Sequence, residues 1–416
     1  MALAFKHTEL DNGLTVVGEV NPDAHTAAAG FFVNVGTRDE PAELMGVSHF
    51  LEHMMFKGTA NRTADEVNRD FDRIGADYNA FTHQENTAYF AHVLPEHLGA
   101  AIEILADILQ PTLRAEDFEM ERNVILEEIG MYRDRPFWTA FERALELHFA
   151  GHPLGYRVLG TEQTIRSMKR DAMEQYFRQR YSPDNIVLSV SGAVDFDAVV
   201  EQVGRQCGGW APTGVQRSPG VFDPGAGDET ERDGKLTNHY LVAISDAPSR
   251  QDERRYAAAV LASLLGDDEG SRLYWKLVDP GLADEAELSH QPFDGCGTFI
   301  AFVACPPGSA SEVEAGLAEV LAGAGGRFEP GEVERARTKI AMDLTLQNER
   351  PAGRMLAIGT DWVYNRHYRS LDEQIERVMA VDAEALGELV ESCPFDQRTM
   401  VRVTSAEPRG ADRGRF

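Results

Sequence analysis

The chain has 416 residues, 43% of them hydrophobic and 26% charged, with a formal net charge of −28. That length exceeds one ordinary core and predicts two domains of about 200 residues each. The charge argues against nucleic acid as a partner and serves either solubility or the steering of basic peptides.

Met1 to Glu9 contains no basic segment followed by an apolar run, and no apolar stretch reaches the roughly 18 residues that span a membrane. Four scattered cysteines, Cys207, Cys296, Cys305 and Cys393, lack metal-type spacing and read as free thiols in a reducing compartment. A cytoplasmic protein without membrane association is expected.

In chain order, residues 4–20 read as a strand pair around Asp11-Asn12-Gly13, whose Asn-Gly step is a hairpin signal. Phe31 to Val35 reads as a buried strand. Residues 64–75 and 95–110 carry helical spacing, and Asn79 to His92 alternates like a strand, with Phe81, Tyr89 and Phe90 as β-formers. Glu121 to Tyr132 reads as a helix, and Ile186 to Gly192 as a short apolar strand. From Gly208 to Lys235 the chain is rich in Gly, Pro, Asp, Thr and Ser, the composition of a linker. Tyr240 to Ile244 is then a strand and Arg254 to Leu265 a helix, so strand-then-helix order recurs. The class is α+β.

Between the first strands and the 64–75 helix lies Gly46-Val-Ser-His-Phe-Leu-Glu-His-Met-Met-Phe-Lys-Gly58. His49 and His53 are four apart, so on a helix they stack on one face, and Glu52 borders that face. Two imidazoles so placed can grip one metal ion. A Zn²⁺ held by two histidines and a carboxylate keeps a fourth position for water. The metal lowers that water's pKa, and a nearby carboxylate can take its proton and pass it on. His-x-x-Glu-His is the inverted form of the zinc-peptidase signature. Such a short pattern also arises by chance, and both histidines could be ordinary residues of a half-buried helix. Phe50, Leu51, Met54, Met55 and Phe56 argue otherwise: polar groups enclosed by so apolar a helix need partners, and a metal supplies them.

A third ligand is available in Glu121-Arg-Asn-Val-Ile-Leu-Glu-Glu128. Glu121 and Glu128 are two helical turns apart and point to one side. Glu127 sits about 100° around from Glu128 and reads as solvated or structural. A plain surface charge stripe is the usual fate of such glutamates.

With these residues in place, the chain resembles the pitrilysin and mitochondrial-processing-peptidase family of inverzincin zinc metallopeptidases, in its short, bacterial-type two-domain form. Asn12-Gly13-Leu14-Thr15, Asn34 to Arg38, Asn79 to Thr82, Gly155 to Glu162 and Tyr181 to Leu188 extend the likeness, which is dense from about residue 5 to 200 and thinner beyond. The resemblance implies two similar domains, each a mostly antiparallel sheet flanked by helices: a catalytic zinc-binding domain over 1–210, a linker over 211–235, and a homologous non-catalytic domain over 236–416. It implies one Zn²⁺ per chain on His49, His53 and Glu128, with Glu52 as general base and Glu121 as an auxiliary catalytic carboxylate. The implied activity is hydrolysis of peptides or unfolded polypeptides. Members that act as non-catalytic, peptide-binding or structural subunits lack the zinc motif, which this chain retains.

In that family Asn79, Ala80, Phe81 and Thr82 pair with an extended substrate as an added strand, as an exposed strand edge physically allows. Arg272, in Gly270-Ser-Arg-Leu-Tyr-Trp-Lys-Leu277, is similar to a substrate-binding arginine. The tyrosine expected to work with it is replaced by Asp284. In the processing peptidases that the chain resembles, one subunit carries zinc and a homologous one supplies substrate-binding groups. With that replacement beside a complete zinc half, the resemblance therefore implies a heterodimer with a homologous partner subunit, a homodimer or a single chain with other substrate contacts being the alternative.

Overall fold

The computed structural model describes residues 3–217, 220 and 224–405. They form two compact units, neither contiguous in sequence: Met1–Gly130, Tyr156–Pro219 and Asp343–Glu373 make the first, and Met131–Gly155, Gly220–Met342 and Gln374–Phe416 the second.

The first unit is built on six strands: β1 Ala4–Glu9, β2 Thr15–Val20, β3 Ala27–Val33, β4 Asp77–Thr82, β5 Thr87–Val93 and β6 Ile186–Gly192. Their order is β1-β2-β6-β3-β5-β4. Every pairing is antiparallel except β2 with β6. The β1–β2 connection turns at Gly13, whose φ of 88° is costly for any residue with a Cβ, as the Asn-Gly step predicts. Asn79 to His92, which alternates like one strand, is instead the β4–β5 hairpin: the His83 N–H donates to Asn86 O (2.9 Å) and Thr82 pairs with Thr87. Among the described residues β4 lies at the sheet edge, with a neighbour on one side only.

β3 is buried along its whole length because both faces of the sheet are covered. Ala27, Ala29, Phe31 and Val33 enter one core, with α1 (Val47–Met55), α2 (Ala64–Arg73), α3 (Leu98–Ile108) and α4 (Ala115–Arg133) contributing to it. Ala28 and Phe32 point the other way, against Met355, Ile358, Trp362 and Val363 of the helix Pro351–Asn365. Phe31 and Phe32 are both wholly buried, each contributing about 1.5–3 kcal/mol. That late helix is fixed to the sheet by the buried pair Arg354–Glu19 (Nη2 to Oε2, 2.7 Å), on which the Tyr368 hydroxyl also donates (2.6 Å).

Gly359 gives the closest approach, since a Cβ there would collide with the Phe32 ring. Gly359→Ala is therefore expected to destabilise by about 1–3 kcal/mol, read as a lower urea midpoint at unchanged zinc content. An unshifted midpoint would show that the ring can give way.

The second unit has five strands: β7 Asp228–Arg232, β8 His239–Ala247, β9 Glu285–Pro292, β10 Gly297–Cys305 and β11 Thr399–Thr404, in the order β7-β11-β8-β10-β9. Only β7 with β11 is parallel among these. Here the covering helix is α5 (Pro136–His148), whose Ala140, Ala144 and Leu145 pack on Val242, Ile244, Phe302 and Val401. Each sheet is thus covered by a helix drawn from the other half of the sequence. The expected α+β pair of similar, mostly antiparallel domains is present, with this exchange added.

The stretch 211–235, expected as linker, is partly structured. Asp228–Arg232 becomes an edge strand, and the Arg217 side chain, 6% exposed, packs against Asp39, donating from Nη2 to Oδ2 at 2.8 Å. Residues 218, 219 and 221–223 of that stretch lie outside the described residues, as do 406–416 of the expected second domain. Among the described residues no helix is long and apolar enough to cross a membrane.

Candidate metal centre

The helix α1 presents its polar residues from an otherwise apolar surface. Val47, Phe50, Leu51, Met54 and Met55 are buried beneath it. Its first turn is held by Glu40, whose carboxylate accepts from the N–H groups of Gly46 (2.7 Å) and Ser48 (2.8 Å). Burial pushes the Glu40 carboxyl up to about 8, against the pull of those two backbone bonds. A carboxylate at a helix N-terminus also meets the positive end of its dipole.

His49 and His53, one turn apart on α1, meet Glu128 of α4 so that one donor atom from each lies within 4.8 Å of the others. The Nε2 atoms of both histidines stand 3.8 Å from Glu128 Oε2. That is beyond hydrogen-bond reach, leaving space between for an ion with bonds of about 2.0–2.2 Å. Glu128 Oε2 and His49 Nδ1 are buried with no hydrogen-bond partner among the described residues. An orphaned carboxylate oxygen facing two imidazole nitrogens is costly unless a cation completes it, and this donor set fits Zn²⁺.

Electrostatics agree. Burial, and then the neighbouring His53, hold His49 down to about 3, so it is neutral and able to ligate. Burial also raises the Glu128 carboxyl, against the pull of His53; a bound cation would offset that cost.

Glu121 is buried beside this group. Its Oε2 lies 3.1 Å from His53 Nδ1 and its Oε1 2.7 Å from Lys57 Nζ. A proton on Nδ1 directed at Glu121 leaves the Nε2 lone pair facing Glu128, the arrangement by which an outer carboxylate orients a ligating histidine. Glu127 is exposed, as its position around the helix predicts. Glu52 sits beside the histidines with burial raising its carboxyl, and the Thr82 hydroxyl, donating to its Oε2 at 2.6 Å, pulling the other way. The sequence reading missed this bond, the Lys57 contact and the Glu40 cap. Lys57 lies just past the end of α1 and reaches Glu121 of α4, so no local spacing signals the contact.

Asn79, Ala80, Phe81 and Thr82 all lie on the edge strand β4, where the Asn79 amide oxygen accepts from the Ala80 N–H (2.9 Å). Arg272 belongs to the second unit, and its guanidinium is committed there. Nε donates to Glu332 Oε2 (3.1 Å), Nη2 to Glu332 and to Arg327 O (3.1 Å), and the group rests over the Phe328 ring. Asp284 accepts from Asn238 Nδ2 (2.8 Å). All of these contacts lie within the second unit.

Residues 15–162 match the family model described as insulinase, peptidase family M16, and residues 167–340 the model described as the peptidase M16 inactive domain. An uncharacterized zinc protease of Mycobacterium leprae is 34% identical over 391 residues, covering 92% of this chain and 87% of that protein. The uncharacterized zinc protease YmxG of Bacillus subtilis is 31% identical over 389 residues, covering 92% and 94%. Among solved structures, a protease from Helicobacter pylori aligns with a TM-score of 0.90 at 20% identity, over 97% of this chain and 100% of that one. A peptidase M16 inactive domain from Pseudomonas fluorescens aligns at 0.88 and 16%, over 97% and 98%. At such identities the structural likeness is one of fold.

Proposed function

Because this chain belongs to peptidase family M16, the insulinase family, we propose that it is a zinc-dependent endopeptidase acting on short or unfolded polypeptides. The observation that carries this reading is the convergence of His49 Nε2, His53 Nε2 and the orphaned Glu128 Oε2, with Glu52 alongside. His49, His53 and Glu128 would hold one zinc ion per chain, and the ion would supply Lewis acidity towards a carbonyl and a water.

The chain's own residues do the rest. Glu52 takes the proton of the attacking water and returns it to the leaving amine. Glu121, itself paired with Lys57, keeps His53 in the ligating tautomer. The open edge of β4 receives the substrate backbone along Asn79 to Thr82, which requires an extended chain and so selects unfolded peptides. A substrate carboxylate reaching Arg272 would have to displace Glu332.

That commitment of Arg272, with Asp284 where a substrate-binding tyrosine is expected, favours a heterodimer in which a homologous subunit supplies substrate contacts; a homodimer is the alternative. Four free cysteines accord with a cytoplasmic location.

The test is hydrolysis of a quenched fluorescent peptide per bound zinc, by the chain alone and with any co-purifying homologue. Activity abolished by a chelator and restored by zinc is expected, and it should rise with the partner. Hydrolysis indifferent to chelation, or absent in both preparations, overturns the peptidase reading. Full activity of the isolated chain, unchanged by the homologue, overturns the heterodimer.

A further inference from the structure

We propose that Thr82 is the positioning residue of the base: its hydroxyl holds Glu52 in the orientation that presents the other carboxylate oxygen to the reacting water. The inference rests on the peptidase reading above and assigns a side-chain role to a residue otherwise expected to offer only backbone.

The bond is 2.6 Å long, Thr82 Oγ1 to Glu52 Oε2, within the range of a hydroxyl donating to a carboxylate. Thr82 is 8% exposed, so water competes little for the contact. A threonine hydroxyl has one proton to give, and giving it to Oε2 leaves Oε1 free to accept from substrate water.

Both ends of the bond sit on fixed elements. Glu52 is inside α1, between the two histidines that face Glu128. Thr82 is the last residue of β4 and pairs with Thr87, whose own hydroxyl donates to Val35 O at 3.0 Å. A β-branched side chain is stiff at χ1.

Side-chain alternation then gives the arrangement its meaning. Tyr78 and Ala80 pack with the core that contains α1, whereas Phe81 packs with the opposite face against Met355 and its neighbours. Thr82 therefore shares the α1 face with Tyr78 and Ala80. The backbone of β4 offers its open edge to the substrate while one of its side chains grips the base. A single strand sets the register of the peptide and the aim of the carboxylate.

Thr82→Val keeps the β-branch and removes the donor; Thr82→Ser keeps the donor. With zinc content measured in each protein, Thr82→Val is expected to lose roughly tenfold in kcat, a part of the 10²–10⁴-fold that a placed base supplies. KM and zinc should stay at wild-type values, and Thr82→Ser should recover most of the loss. Wild-type kcat in Thr82→Val overturns the proposal. So does an equal loss in both variants, or a fall confined to KM or to zinc content.

A separate readout needs no turnover. In a double-mutant cycle of Thr82→Val with Glu52→Ala, the urea midpoints should be non-additive; additive midpoints mean the bond does not hold the base and overturn the proposal. A wild type inactive both alone and with a co-purifying homologue, yet with non-additive midpoints, would refute the peptidase reading and leave the positioning bond standing.

Discussion

Glu52→Gln is expected to retain its zinc and to lose at least about 10²-fold in kcat. The amide matches the carboxylate in size, so the packing of α1 is kept. Its carbonyl oxygen can still accept from the Thr82 hydroxyl, which lies 2.6 Å from Oε2 in the native protein. What it lacks is a basic oxygen for the water's proton and a proton to hand to the leaving amine. The loss therefore falls on kcat rather than on peptide affinity, because the water is activated only on the way to the transition state. Glu52 is outside the trio His49, His53 and Glu128, so one zinc per chain by elemental analysis is the control. Hydrolysis at the wild-type rate by this variant would remove Glu52 from the mechanism and leave zinc to act with another base.

What the sequence made legible is local. Two histidines at helical spacing in an apolar run are brought within reach of a glutamate on α4. The strand Ile186–Gly192 and the turn at Asn12-Gly13 depend on neighbours in the chain, and the structure has them where the sequence puts them.

The β4–β5 turn was hidden because His83-Gln84-Glu85-Asn86 carries neither Gly nor Pro to punctuate the alternation. The exchange of covering helices was hidden for a different reason. The pattern of Pro351–Asn365 says that one face is apolar, not that Gly359 must slide beneath Phe32 of the first sheet. Glu40 gave no cap signal since it reaches α1 from outside the first turn, six residues before Gly46. The Thr82–Glu52 bond joins residues thirty apart, and nothing in the spacing of either segment fixes that approach. Strands and motifs follow local rules, whereas the residues that aim a site follow the packing of distant elements.

His53→Ala is expected to lose most of its zinc, and with it a measurable part of the stability that chelation removes from the wild type. The imidazole has two engagements, Nε2 towards Glu128 Oε2 and Nδ1 with Glu121 Oε2 at 3.1 Å. Truncation leaves His49 and Glu128 as the remaining members of the trio, and two protein ligands rarely hold zinc tightly. It also leaves buried Glu121 with Lys57 as its remaining ionic partner at 2.7 Å. A metal that binds the folded chain and not the unfolded one stabilises it by RT ln(1 + [Zn]/Kd), about 2.7 kcal/mol at a hundredfold excess over Kd. The wild-type melting temperature should therefore fall when a chelator is added, whereas that of His53→Ala should hardly move. Two measurements check this, zinc per chain after dialysis and the chelator-induced shift in Tm. One zinc per chain in His53→Ala, with a wild-type shift, would mean that the ion is held elsewhere and that the apolar surface of α1 carries its histidines for another reason.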